Sequence, residues 1–452
     1  GNDGMLHGFA ESDGSEVLAY VPSTLYSTVV NSGLHYLTDP AYTHRYYVDL
    51  RPSITDAYIK VTAAGSADWR TILVGGLRGG GRGLFALDIT TPVFSETGTA
   101  PADTVLWEFD STVDADLGYT FSQPSIVLTN SGKWAAIFGN GYNDSGTGEA
   151  QLFIVDIEGG LDGTWTLGTD YQKITTGAGT TLARNGLATP AVIDLDGNGT
   201  ADRVYAGDLQ GNMWAFDISS SNAGQWDVDY KNGNTPAPLF TTQSNQPVTV
   251  TPVIVRNPAI ASGNNQPNLL VIFGTGQYLT SSDVTSTTGQ SFYGVWDSGS
   301  DSLDISDLVQ QTISTGTTNG VTGRKLTNNT VDYANGDDGW YMNLPDTGER
   351  QITDAVIRGD LVYFNTSIPD NAPCSNGGTG WLMLAKILNG GRPDVVSFDL
   401  NGNGLFDLFD VVDGENAVGV KVSGLPSSPV NLGNKRYTST TDSVDGTTIV
   451  VD

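Results

Sequence analysis

The chain of 452 residues is poor in several residue types, and each shortage excludes something. It holds one cysteine, Cys374, so no disulfide can form within it, and cysteine says little about its compartment. Cys374 follows a proline in NAPCSNGG and reads as a loop thiol. Only three histidines occur, His7, His35 and His44, with no HxxxH spacing. Each reads as a packing or hydrogen-bonding residue rather than a metal ligand. Basic residues are scarce, 21 Lys and Arg against 50 Asp and Glu, for a net charge of −29. That balance excludes the basic footprint of a nucleic-acid-binding surface. No run of 18 or more apolar residues is present, so no membrane-spanning helix is expected. Neither a GxSxG elbow nor a P-loop occurs. The chain starts at Gly1 without an initiator Met or an apolar leader, and reads as the C-terminal fragment of a longer protein.

What remains is rich in glycine, 57 residues, yet 38% hydrophobic with 9 Trp, which is a folding composition and not a disordered one. One pattern recurs: a β-rich run ending at glycine, a turn, then a second run ending in an apolar residue and Asp. It covers 69–89, 134–157, 202–218 and 268–297, with a looser copy at 359–387. The opening GNDGMLHGFA looks like the second half of such a unit. Each unit predicts two antiparallel strands, since Val, Ile, Phe, Tyr and Trp suit a pleated buried surface. Two-stranded units are marginal alone. Repeated around an axis they cover one another, which predicts a β-propeller of six to seven blades over a β-sandwich pair. Part of 16–37 carries an amphipathic pattern and is expected to be helical. Segments 219–250 and 298–335, rich in Ser, Thr, Asn and Gly, are expected to be excursion loops. The run GGLRGGGRG at 75–83 lacks a Lys-Ser/Thr ending and lies between strands, so it predicts a hairpin turn with Arg78 and Arg82 facing solvent.

Two loops carry chemistry. DLDGNGTAD at 194–202 places Asp194, Asp196, Asn198, Thr200 and Asp202 at positions 1, 3, 5, 7 and 9 of an EF-hand-like loop, with Gly199 at the sharp turn. An all-oxygen, charge-rich set favours calcium over magnesium. Position 12 is Tyr205 rather than Glu, and the flanking AVI and RVYAG look like strands, so a helical EF-hand is not expected. The alternative is a metal-free Asx-rich hairpin turn. DLNGNGLFDLFD at 399–410 places Asp399, Asn401, Asn403, Leu405, Asp407 and Asp410 at positions 1, 3, 5, 7, 9 and 12, with Gly404 at the turn. It has fewer charges and predicts a weaker second calcium site or a plain turn. Arg358-Gly359-Asp360 spells a tripeptide that some integrins read. Its strand-like flanks predict a tight hairpin turn first and an adhesive site second.

GNDGMLHGF (1–9), EVLAYVPS (16–23), LTDPAYTHRYYVD (37–49), ILVGGLRGGGRGLFALDIT (72–90), PAVIDLDGNGTADRVYAGDLQGNMWAFD (190–217), PCSNGGTGWLM (373–383) and FDLNGNGLFD (398–407) form an ordered set. With them the chain resembles the C-terminal domain of the PilY/PilC type IV pilus tip-associated adhesins. The resemblance implies an all-β fold, a modified seven-bladed, quinoprotein-like propeller with long loop insertions and a few short helices, spanning 1–452. It implies a secreted, pilus-associated cell-surface protein that is not an enzyme. Its partners would be minor pilins at the pilus tip and a host-cell receptor or glycan, and it would oppose pilus retraction under control of Ca2+. The ligands it implies are Asp194, Asp196, Asn198, Thr200 and Asp202, while the integrin motif does not map obviously onto 358–360. Two rival readings stand: a quinoprotein dehydrogenase holding pyrroloquinoline quinone and calcium, and a glycan-binding propeller lectin. Against the dehydrogenase, the chain lacks the adjacent cysteine pair frequent in alcohol-oxidising members. A dehydrogenase's calcium ligands would also come from distant blades rather than one consecutive loop.

Overall fold

A computed structural model describes residues 1–452 except 92–93, 95–96, 98–103, 262–266, 373–375, 433–434, 443–447 and 450–452. Cys374 lies outside the described residues. The chain divides into two compact units. The first is Gly1–Asp208 with Trp214–Ala237, and the second is Leu209–Met213 with Pro238–Asp452.

In the first unit the repeat at 69–89 becomes the strands Asp68–Gly76 and Gly83–Asp88. They are the inner pair of a four-stranded antiparallel sheet completed by Ser53–Ile59 and Val105–Asp110. The repeat at 134–157 likewise forms the inner strands Trp134–Gly139 and Glu149–Asp156, flanked by Ser125–Leu128 and Tyr171–Gly179. Inner strands are buried on both faces: all six residues of Gly83–Asp88 are buried, and seven of eight in Glu149–Asp156. They therefore read as continuous apolar runs, whereas Ser53–Ile59 at a sheet edge alternates. Ile72, Val74, Phe109, Phe138 and Phe153 meet in one core cluster. Each such side chain contributes roughly 1.5–3 kcal/mol on burial. A third sheet pairs Ala191–Ile193 with Arg203–Gly207.

The second unit holds a five-stranded sheet around Leu269–Gly274 and Ser291–Asp297, and a six-stranded sheet around Leu361–Pro369 and Gly378–Lys386. Here 298–335 departs from the expectation of a loop. It contributes Val309–Gln311 to the first of these sheets, and Ile313–Thr318 and Val321–Leu326 to the second. Val309–Gln311 and the Ser/Thr/Gly-rich Ile313–Thr318 sit at sheet edges, where a polar outer face costs little, and Val321–Leu326 lies one strand in. Segment 219–250 also contains two-residue strands, Asp227–Val228 and Phe240–Thr241 among them. Residues 16–37 form no α-helix but a strand, Glu16–Tyr20, and the 3₁₀ turns Ser23–Leu25 and Gly33–Thr38. The β-branched and aromatic start of that stretch pairs with Leu6–Phe9, and this pairing outweighs its helical periodicity.

The recurrent strand-ending Asp has a local cause. Asp88, Asp217 and Asp297 each accept, through Oδ1, the N–H two residues on, from Thr90, Ser219 and Gly299. Each closes an Asx turn that ends the strand. Asp156 breaks this pattern: its Oδ2 accepts from Lys133 Nζ at 2.5 Å.

The run 75–83 is the expected hairpin turn. Gly80 is required there, because a Cβ would lie 1.9 Å from the Tyr47 carbonyl oxygen. Arg78 is half exposed as expected, and Arg82 is only partly exposed. It donates through Nη2 to the Asn143 carbonyl at 2.6 Å and lies 5.3 Å from the Tyr119 ring centre.

Candidate metal centre and its relatives

The first acidic loop joins Ala191–Ile193 to Arg203–Gly207, which pair as Ala191↔Tyr205, Val192↔Val204 and Ile193↔Arg203. It is thus the tip of a hairpin whose stem is a registered ladder. Two glycines in the left-handed region, Gly197 at φ +80° and Gly199 at φ +90°, let nine residues curl into a tight ring. Asp194 is the pivot. Its Oδ1 accepts from the N–H of Gly197 at 2.7 Å and Asn198 at 3.1 Å, and its Oδ2 from Gly199 at 2.7 Å. The Gly199 N–H chiefly, with the other two, holds the Asp194 carboxyl below the usual carboxylate range. Asp196 Oδ1 accepts from Asn198 N–H, and Asn198 Oδ1 from Thr200 N–H.

The result is a cluster of like charges. One carboxylate oxygen each from Asp194, Asp196 and Asp202 lies within 4.8 Å of the others. Asp194 and Asp196 are exposed and Asp202 is buried. At that spacing the charges repel, so the arrangement favours a cation among them. The carboxylates anticipated at positions 1, 3 and 9 meet here, and a set of hard oxygens fits calcium.

One participant is invisible to local spacing. Asn130, in the turn after Ser125–Leu128, donates through Nδ2 to Asp202 Oδ1 at 2.8 Å and to the Ala201 carbonyl at 2.9 Å. Its Oδ1 accepts from Thr200 Oγ1 at 2.9 Å. Asp202 Oδ2 meanwhile accepts from Leu195 N–H at 2.8 Å. A buried carboxylate gripped on both oxygens is a preset ligand, and Asn130 does the gripping from another sheet of the same unit. Its only sequence signal is an Asn in a short turn, common in turns of any kind.

The loop 399–410 repeats the ring. Asp399 Oδ1 accepts from Gly402 and Asn403 N–H, and Oδ2 from Gly404 N–H. Asn401 Oδ1 accepts from Asn403 N–H, and Asn403 Oδ1 from Leu405 N–H. Position for position this matches 194–200. The closing carboxylate differs from the EF-hand count, however. Asp202 accepts from the second residue of its loop, and the counterpart bond is Leu400 N–H to Asp410 Oδ1 at 2.8 Å. Asp407 instead accepts from Phe409 N–H at 2.8 Å and closes a local turn. Arg358-Gly359-Asp360 sits at a hairpin tip, with Arg358 opposite Leu361 and Gly359 at φ +61°.

Compared with known proteins, residues 1–335 match the model of the PilY1 β-propeller domain. The chain belongs to that family. It is 34% identical to the type IV pilus biogenesis factor PilY1 of Pseudomonas aeruginosa strain PAO1, over 90% of this chain and 36% of the relative. A PilY1 homologue of Xylella fastidiosa is 36% identical over 86% of this chain and 26% of its own length. The crystal structure of the P. aeruginosa PilY1 C-terminal domain is 28% identical, covers 100% of this chain and 91% of that one, and superposes with a TM-score of 0.73. The fold is therefore an all-β propeller, and the relatives are pilus biogenesis factors rather than enzymes. The chain spans between 26% and 36% of the length of these two curated relatives.

Proposed function

We propose that this chain is the propeller portion of a calcium-responsive type IV pilus biogenesis factor and tip-associated adhesin. In this reading it opposes pilus retraction and supports twitching motility and surface attachment, in contact with minor pilins at the pilus tip. Its place is the pilus-bearing cell surface. The observation that carries the calcium part is the gathering of Asp194, Asp196 and Asp202 within 4.8 Å on one hairpin tip. Asp194, Asp196 and Asn198 through side-chain oxygens, Thr200 through its carbonyl and Asp202 would hold the ion. Calcium supplies two positive charges that relieve this repulsion and stiffen the tip. The chain's own part is to keep Asp202 oriented through Leu195 and Asn130 and to keep Asp194 ionised through three N–H groups. A tip that gains two charges offers a neighbouring partner a different surface, which is the form a switch takes.

A second, weaker calcium site at Asp399, Asn401, Asn403, the Leu405 carbonyl and Asp410 is favoured by the matching ring of hydrogen bonds, with Asp407 outside the set. An adhesive role for Arg358, Gly359 and Asp360 rests on their hairpin-tip position and ranks below both.

Calorimetric titration of the metal-stripped chain with calcium tests the reading. Binding by the parent that an Asp194→Ala, Asp202→Ala double variant loses supports the first loop. Binding retained in full by the variant moves the ion to 399–410. In cells, the same two changes in the full-length protein are expected to alter twitching motility. Unchanged pilus number and motility would overturn the switch.

A further inference from the structure

We propose that the first unit carries a saccharide pocket for a single neutral pyranose ring, with Tyr58 and Trp134 as stacking surfaces, Trp69 bracing both rings from beside the cavity, and Lys133, Glu158 and Asp170 as its polar groups. This gives the surface-attachment part of the reading above a ligand, and it depends on neither the calcium loop nor the pilus.

The cavity has a volume of about 310 Å³ and is lined by Tyr58, Lys133, Trp134, Asp156, Glu158 and Asp170 among others. That is the low end of ligand pockets, which run from about 300 to 1,000 Å³, and it suits one ring rather than a larger molecule. The aromatic side is built by strand pairing. Tyr58 and Trp69 stand directly opposite each other on Ser53–Ile59 and Asp68–Gly76, with ring centres 5.7 Å apart. Trp69 in turn meets Trp134 edge-on at 6.4 Å. Tyr58 is 53% exposed and Trp69 60%. Large rings left on a surface beside a cavity are poised for a ligand, and their apolar faces match the C–H face of a pyranose.

The polar side shows which ligand fits. Asp156 is the strand-ending Asp whose side chain closes no Asx turn; it is buried and receives Lys133 Nζ, which also donates to the Thr169 carbonyl at 2.9 Å. Glu158 Oε1 accepts from Lys60 N–H at 3.0 Å, and Asp170 Oδ2 from Thr166 N–H at 2.8 Å. Each carboxylate is thus oriented by backbone and keeps a second oxygen for ligand hydroxyls. Gly159 locks the wall, since a Cβ there would meet the Asp170 carbonyl oxygen at 2.7 Å. Three carboxylates against one ammonium group disfavour acidic sugars. Aromatic faces with backbone-oriented acceptors and one donor describe recognition of a polyol ring.

Saturation-transfer NMR on the 452-residue chain, with methyl gluco-, galacto- and mannopyranosides, methyl glucuronide and tetramethylammonium as probes, decides the matter. The expected result is transfer to ring C–H protons of at least one neutral glycoside and an affinity lowered at least tenfold by Trp134→Ala. Tyr58→Phe is expected to retain binding and Tyr58→Ala to lose it. Near-UV circular dichroism monitors folding, and Asp170→Asn provides a second variant with the same readout if Trp134→Ala unfolds. Absence of binding by all three neutral glycosides, binding insensitive to both variants, or preference for glucuronide or tetramethylammonium would each overturn the proposal. A chain that binds calcium and no sugar overturns the pocket alone; one that binds sugar and no calcium leaves the pocket standing.

Discussion

The loops 194–202 and 399–410 share one backbone and differ in what surrounds it. Both turn on an initial Asp that accepts three N–H groups, and both use two left-handed glycines. The first is the tip of a registered hairpin, tied by Asn130 to a neighbouring sheet. The second is rooted instead by apolar packing, with Phe398, Leu400 and Val412 buried in one cluster. The first presents three carboxylates to a common point. The second replaces the middle one by Asn401 and leaves Leu405, Leu408 and Phe409 exposed. The lesson is that the ring is a property of the local motif, whereas charge density and anchoring come from context. Equal backbones need not have equal affinity.

The sharpest way to break the comparison is at the closing carboxylate. Asp410 is fully buried and accepts N–H groups from Leu400, Asn401 and Asp407. Asp410→Ala is expected to cost about 3 kcal/mol of stability in urea unfolding, because buried donors lose a charged acceptor. Asp407→Ala should cost under about 1 kcal/mol. Equal costs would return the closing role to position 9.

Next is the anchor. Asn130→Ala is expected to weaken calcium binding at the first loop by about 10- to 100-fold in calorimetry, as loss of a group that orients a metal ligand does. An unchanged affinity would show that Leu195 alone suffices to orient Asp202. Charge count comes third. Asn401→Asp gives the second loop its missing middle carboxylate and is expected to raise its calcium affinity about tenfold; no change would mean that anchoring, not charge, limits it.

The smallest effect concerns the glycines. A Cβ at Gly199 or Gly404 meets nothing within 4 Å, so only backbone strain opposes it. Gly199→Ala and Gly404→Ala should each cost about 1–2 kcal/mol, equally, by thermal unfolding. A clear inequality would mean that the two rings are not the same structure.

Much of this was legible in the chain itself. Strand pairs such as Asp68–Gly76 with Gly83–Asp88 are adjacent in sequence, and their apolar runs and glycine turns specify them locally. The oxygens of 194–202 fall within nine residues, so spacing alone brings Asp194, Asp196 and Asp202 together. The repeated Asp is likewise local, an Asx turn closing over two residues. At position 9 the hydrogen bonding of the second loop departs from that of the first for an equally physical reason. Counting along the chain assumes one path, and the path through Phe406 to Asp410 brings position 12 to the point that position 9 reaches in the first loop.

Other features were decided in three dimensions. The strands within 309–326 have weak composition and exist because sheets in the second unit offer them an edge to pair with. Asn130 reaches Asp202 across 72 positions, and Tyr58 lines one cavity with Trp134, Asp156 and Asp170 from a different sheet. Sequence by itself determined what depends on neighbours along the chain: strand pairs, turn chemistry and the carboxylate ring. Only the tertiary structure decided what depends on neighbours through space: the sheet edges, the grip on Asp202 and the aromatic pocket. The reason is that hydrogen bonds and ring contacts act over a few ångströms, and over long separations only the packed fold brings the partners that close.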